Sequence, residues 1–162
     1  MVVVACFAVG TTADGQKKKP RTKLKKLTKV ATPTNNKILE KFIRSVGTDI
    51  KGKDGRWTFV VDKREVIVIT DERADRMRIM IPIAKADKLT AKQMKVLLEA
   101  NFDRALDAKY AIQGGTVWGV FTHWLSPLSK FEFKSAARQV ARLAATYGTT
   151  FSSTDVVFGG GP

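Results

Sequence analysis

The chain has 162 residues, 44% of them hydrophobic, which suits one compact domain with a buried core and argues against a disordered polymer. Its net charge is +14 and its pI about 10.1, a balance that points to polyanionic partners such as nucleic acid, an anionic membrane surface or an acidic protein. A single cysteine, Cys6, excludes an internal disulfide framework and any metal site built from several cysteines.

The charge is unevenly spread. Residues 1–36 hold eight basic side chains against one acid, half of the whole excess, so the remaining 126 residues are only mildly basic. Met1 to Gly10 (MVVVACFAVG) is apolar and uncharged, but it falls far short of the about twenty residues needed to cross a bilayer. It resembles the apolar region of a secretory signal peptide, with Thr11 and Ala13 at the small-residue positions before Asp14, but without a basic stretch ahead of it. Two readings of residues 1–16 therefore stand open, a truncated signal sequence or a disordered leader. Export to the periplasm or cell envelope follows from the first, and a cytoplasmic location is equally open. Val3-Val4-Ala5-Cys6 is loosely similar to a lipoprotein box, which would place a lipid on Cys6.

Residues 17–33 read as a flexible basic linker, because KKKPRTKLKKLTK has too little apolar surface to offset the entropy of ordering it. Lys17, Lys18, Lys19, Arg21, Lys23, Lys25 and Lys26 are its candidate polyanion contacts. The folded domain is expected over 34–158, followed by a glycine-rich tail at 159–162. Ile38, Leu39, Phe42, Ile43 and Val46 recur at helical spacing before Gly47 and predict the first helix. Trp57 to Val61 and Val66 to Thr70 are β-branched and aromatic runs joined by a four-residue connection, the pattern of a hairpin. Arg76 to Ile83 alternates, with Met77, Ile79, Ile81 and Ile83 on one face, and Pro82 suggests an edge strand or a strand end.

Thr90 and Gln93 form a capping box, with Leu89 and Met94 as its hydrophobic staple. The second helix follows, with an expected core stripe of Met94, Leu97, Leu98, Phe102, Ala105 and Leu106. Asp107 to Gln113 and Thr116 to Trp124 flank Gly114-Gly115 as a second hairpin. Ser129 and Glu132 repeat the capping box, and Phe133, Ala136, Ala137, Val140, Ala144 and Tyr147 carry the third helix to Gly148. The order α-β-β-β-α-β-β-α with hairpins predicts an α+β fold, an antiparallel sheet with three helices.

That order resembles the secretion-chaperone-like family, the small type III secretion chaperones and their bacterial relatives outside secretion systems. The resemblance spans about Asn36 to Phe158 and rests also on the stretch from Leu97 through Asn101, Phe102, Tyr110 and the glycine turn to Trp118, then Leu125, Leu128 and Tyr147-Gly148. It implies a homodimer that holds extended partner segments on apolar patches and does no chemistry of its own. The family's secretion chaperones are usually acidic, so the basic charge of this chain fits the relatives outside secretion systems better.

Catalytic signatures are sparse. His123 is the one histidine, without a cysteine or acidic cluster beside it to complete a metal set, and no G-x-S-x-G or H-E-x-x-H string occurs. Asp71, Glu72 and Asp75 are interleaved with Arg73 and Arg76, which suits a solvated turn better than paired catalytic carboxylates. No enzyme activity, cofactor or metal is expected. The candidate partner-binding residues are Met80, Trp118 and Trp124, since methionine and tryptophan suit adaptable peptide contacts. Val96 and Ala100, opposite the expected core stripe of the second helix, are candidate dimer contacts. The alternative is a nucleic-acid-binding protein using the basic N-terminal segment. Against it, the sequence shows neither an RNA-binding signature string nor a dense basic face on any element.

Overall fold

The computed structural model describes residues 32–156. The leader with Cys6, most of the basic linker with Lys17 to Lys26, and the glycine-rich tail lie outside them.

Three helices and six strands follow one another as α1 (Asn36–Val46), β1 (Thr48–Lys53), β2 (Arg56–Val61), β3 (Arg64–Asp71), β4 (Arg76–Lys85), α2 (Ala91–Asp103), β5 (Lys109–Gln113), β6 (Thr116–Trp124) and α3 (Lys130–Thr146). The strands form one antiparallel sheet in the order β1-β2-β3-β4-β6-β5. This is the α+β class expected from the sequence, with one additional strand at its start.

Alternation places Trp57, Phe59, Val66, Val68, Met77, Ile79, Ile81, Val117 and Phe121 on one face of the sheet, all buried. Leu39 and Ile43 of α1, with Phe133, Ala136, Ala137 and Val140 of α3, cover that face and complete a single core. Phe133 sits where three elements meet, its ring 6.3 Å from Phe42 and 6.2 Å from Phe59. Small residues on α3 let the helix lie close. At Gly119, opposite Ile81 in the register, an added Cβ would come within 3.1 Å of that side chain.

Both capping boxes form as expected: Thr90 and Ser129 accept from the backbone N–H of Gln93 and Glu132, whose side chains accept in return from the N-cap N–H groups. Gly114-Gly115 turns with φ of +57° and +70°, the pair of positive angles that a two-residue hairpin turn of this hand needs.

Three expectations change. First, the sequence gives no apolar signal for β1, because TDIKGK is polar and almost wholly exposed and, among the described residues, pairs with β2 alone. Asp54-Gly55 turns it into β2 with φ of +50° and +102°, and a Cβ on Gly52 would collide with the Arg56 carbonyl. Second, β4 is an interior strand. Pro82 lies beyond Met80, where the pairing with β3 stops, and beside the register shift at Pro82/Ala84 opposite β6, so its missing N–H interrupts neither ladder.

Third, only part of the expected stripe of the second helix is buried. Leu97 and, just past the helix, Ala105 face the core as expected, Ala100 joins them, and Met94, Leu98 and Phe102 point outward. The cause is the position of α2, which packs on β5 at the sheet's edge. There the Asn101 side chain accepts from the Tyr110 N–H at 2.7 Å and donates to the Tyr110 carbonyl at 3.0 Å. Presenting Asn101 to the strand turns Leu97 and Ala100 inward and leaves the larger side chains uncovered. Lys109 extends its ammonium to the carbonyls of Asn101, Ala105 and Leu106, at 2.6 to 2.9 Å, and so caps the C-terminal end of α2.

Candidate functional site

Four large apolar side chains cluster on the outer side of α2 and β5. Met94, Leu98 and Phe102 follow at i, i+4 and i+8 on one helical ridge, 41%, 69% and 84% exposed, and Ile112 on β5 is 50% exposed. Met94, Leu98 and Ile112 line a shallow apolar groove of about 200 Å³ between helix and strand. Lys95 and Glu99, an i,i+4 ion pair at 3.7 Å, are the charged side chains within this stretch of the helix. Of the two expected dimer contacts, Ala100 is fully buried in the core and so leaves the list of surface residues, and Val96 is half-buried. The sequence pattern is ambiguous here because α2 carries two apolar stripes, and composition alone favours burying the larger one.

The second uncovered surface is the outer face of the sheet. The registers align Thr58, Ile67, Met80, Val120 and Lys109 as one row across β2, β3, β4, β6 and β5, and Ile69, Arg78 and Thr122 as the next. Among the described residues no helix packs on this face. Met80 and Trp118 are half-buried and Trp124 is exposed. They share the face without touching as a trio: Trp118 stands across from Pro82 and Ala111 and donates its indole N–H to the Gln113 carbonyl at 3.1 Å. Trp124 lies six residues further along β6, about 20 Å away at strand rise, with the Arg76 guanidinium stacked 3.1 Å from its ring centre. Met80 stands opposite Val120 in the register, between them along the strand direction.

The acidic turn has structural work. Asp71 accepts from the N–H groups of Arg73 and Ala74, both at 2.9 Å, closing the β3–β4 turn. Asp75 accepts from the Ser126 N–H at 2.6 Å and its hydroxyl at 2.7 Å, which ties the loop after β6 to that turn. These bonds hold the Asp75 carboxyl below its ordinary value of 3.8, and the Ser129 cap holds Glu132 below 4.5. A carboxylate whose folded pKa is lowered contributes stability that is complete above its unfolded value and is lost as pH falls through the folded one. Urea midpoints should therefore hold steady from pH 7 to 5 and drop below pH 4, and Asp75→Asn should flatten that drop. An unchanged acid limb in Asp75→Asn would show that the Ser126 clamp contributes nothing.

His123 stacks on Phe121 at 6.0 Å and its Nδ1 lies 2.7 Å from the Trp124 carbonyl, an arrangement in which the ring donates to that oxygen. Among the described residues no group of three or more His, Cys, Asp or Glu side chains is placed to hold a metal ion. Gln139, buried in α3, accepts from the N–H groups of Asp107 and Ala108 and donates to the Asp107 carboxylate, fixing the approach to β5. Burial raises the Tyr110 hydroxyl to about 12, and it donates to the Leu143 carbonyl at 3.0 Å. These polar groups serve the fold. No helix among the described residues is long and apolar enough to cross a membrane.

The outward side of α3 differs from expectation as well. Lys134, Arg138 and Arg142 are exposed at i, i+4 and i+8 and form a basic face that helical period makes readable. No protein-family model matches the chain, and no curated protein matches it either.

Proposed function

We propose that this chain is a protein-binding module that works as a homodimer and does no chemistry of its own. The observation that carries this reading is the ridge of Met94, Leu98 and Phe102, with Ile112 of β5 across a groove from the first two, four large apolar side chains exposed to solvent. Apolar side chains exposed singly are ordinary, whereas a contiguous ridge marks a contact surface. A second copy is the fitting occupant. A two-fold contact sets the same ridge against itself, apolar to apolar, with Lys95 and Glu99 free to exchange partners at the rim. Asn101 already occupies the outward backbone groups of Tyr110, so β5 offers little edge for strand addition and side-chain packing must supply the contact.

The open sheet face then remains available on each copy for an extended segment of a partner protein. Its central row of Ile67, Met80 and Val120 offers apolar contact, and Arg78 and the Arg76–Trp124 stack stand nearby. The resemblance to the secretion-chaperone-like family supports the same division of labour.

Cross-linking tests the two-fold contact. In a Cys6→Ser background, Phe102→Cys chains treated with a short bis-maleimide should give a covalent dimer, while Thr122→Cys chains, labelled on the open sheet face, should not. No cross-link at Phe102, or equal cross-linking at both positions, would sink the ridge as the interface.

A further inference from the structure

We infer that the outward face of α3 is a second binding surface, one that takes single-stranded nucleic acid. It lies apart from the α2 ridge and does not depend on the dimer. Lys134, Arg138 and Arg142 line one side of a groove of about 560 Å³, and Arg64 at the start of β3 lines the same groove. Arg142 is paired with Asp155, whereas Lys134, Arg138 and Arg64 form no ion pair among the described residues. Asp62 and Asp155 are the acids of the lining, so four cations face two carboxylates and the groove favours an anion.

The spacing and the neighbouring ring say which anion. Residues at i and i+4 rise about 6 Å along a helix. The about 3.4 Å of a stacked strand is only its rise along the axis, and the winding backbone sets successive phosphates further apart than that, so successive cations of the stripe can follow successive phosphates of one strand. A strand with no complement also leaves its bases free to unstack. An unstacked base needs a new partner, and Phe131 provides one. It lies one turn before Lys134, lines the groove and is 79% exposed, an apolar ring face with no partner in the core. Basic side chains that track a backbone beside an exposed aromatic ring are the working parts of single-strand binding surfaces. An acidic peptide would use the cations but not the ring.

The test is fluorescence anisotropy of the full chain with a labelled twelve-nucleotide oligothymidylate at 50 to 200 mM salt, with polyglutamate of similar length as the competitor. The expected result is saturable binding that Lys134→Gln/Arg138→Gln/Arg142→Gln weakens at least tenfold. Removing three phosphate contacts at about 0.7 each should make the slope of log K against log salt shallower by about 2. Phe131→Ala should lose about tenfold with the slope unchanged, since a stacked base contributes affinity without charge. A chain with Lys17, Lys18, Lys19, Lys23, Lys25 and Lys26 all changed to Gln separates the two basic regions, and circular dichroism confirms that each variant keeps its helices. The proposal is overturned if the α3 triple variant binds with unchanged affinity and slope, which would assign binding to the N-terminal lysines. Equal affinity for polyglutamate with indifference to Phe131→Ala would also overturn it and make an acidic peptide the occupant.

Discussion

Changing Leu98 and Phe102 together to aspartate should weaken self-association at least a hundredfold while leaving the folded chain as stable as before. Each side chain is mostly in solvent in the single chain, so its loss removes little from the core. Across a two-fold contact each is buried twice. Burying a large apolar side chain contributes about 1.5–3 kcal/mol, so even partial burial of four such groups exceeds the about 2.8 kcal/mol that a hundredfold change in dissociation constant requires. The four carboxylates that replace them repel across the same contact. Sedimentation equilibrium over a hundredfold range of concentration reads the constant, and a thermal melt of the variant confirms the fold. An unchanged constant would mean that the ridge lies outside the interface.

The reverse is expected at Phe133, which supports the fold and touches no proposed partner. Phe133→Ala should cost about 3–5 kcal/mol, the range for removing a buried phenyl ring and leaving a cavity. The ring is fully buried between Phe42 of α1 and Phe59 of β2. Small domains are stable by about 5–15 kcal/mol in all, so the variant should be marginal, with a melting temperature lower by about 10–20 °C. Urea denaturation gives the free energy directly. A loss under about 1 kcal/mol would show that α1, β2 and α3 do not share one core.

Most of the fold is legible in the sequence wherever local chemistry and burial agree. The capping boxes at Thr90 and Ser129, the Gly114-Gly115 turn and the alternation of Met77, Ile79 and Ile81 each impose one local geometry, and each appears where it is written. What escapes is set by position in the sheet. The strand from Thr48 to Lys53 has almost no buried side to produce an alternation, and only its Asp54-Gly55 turn announces it. Pro82 signals an interruption of pairing, which a bulge inside β4 satisfies as well as an edge does. On α2, hydrophobicity ranks Leu98 and Phe102 above Ala100, but the fit of Asn101 to Tyr110 decides which side faces in.

The surfaces follow the same logic. Strand period alone places Trp118 and Trp124 on one face of β6 and sets their spacing, whereas Met80 of β4 joining that face and the Arg76 stack on Trp124 depend on register. The stripe of Lys134, Arg138 and Arg142 needs only helical period to be seen. That Arg64, seventy residues earlier in the chain, joins the same groove does not, because it follows from where β3 starts beneath α3.

The most direct test of the account is the mass of the unaltered full-length chain in solution, measured by light scattering during size exclusion at micromolar concentration and moderate salt. A homodimer joined through the α2 ridge predicts twice the 17.9 kDa of one chain. A mass of 17.9 kDa that holds up to the highest soluble concentration would contradict it, and would leave Met94, Leu98 and Phe102 exposed with no self-contact to explain them.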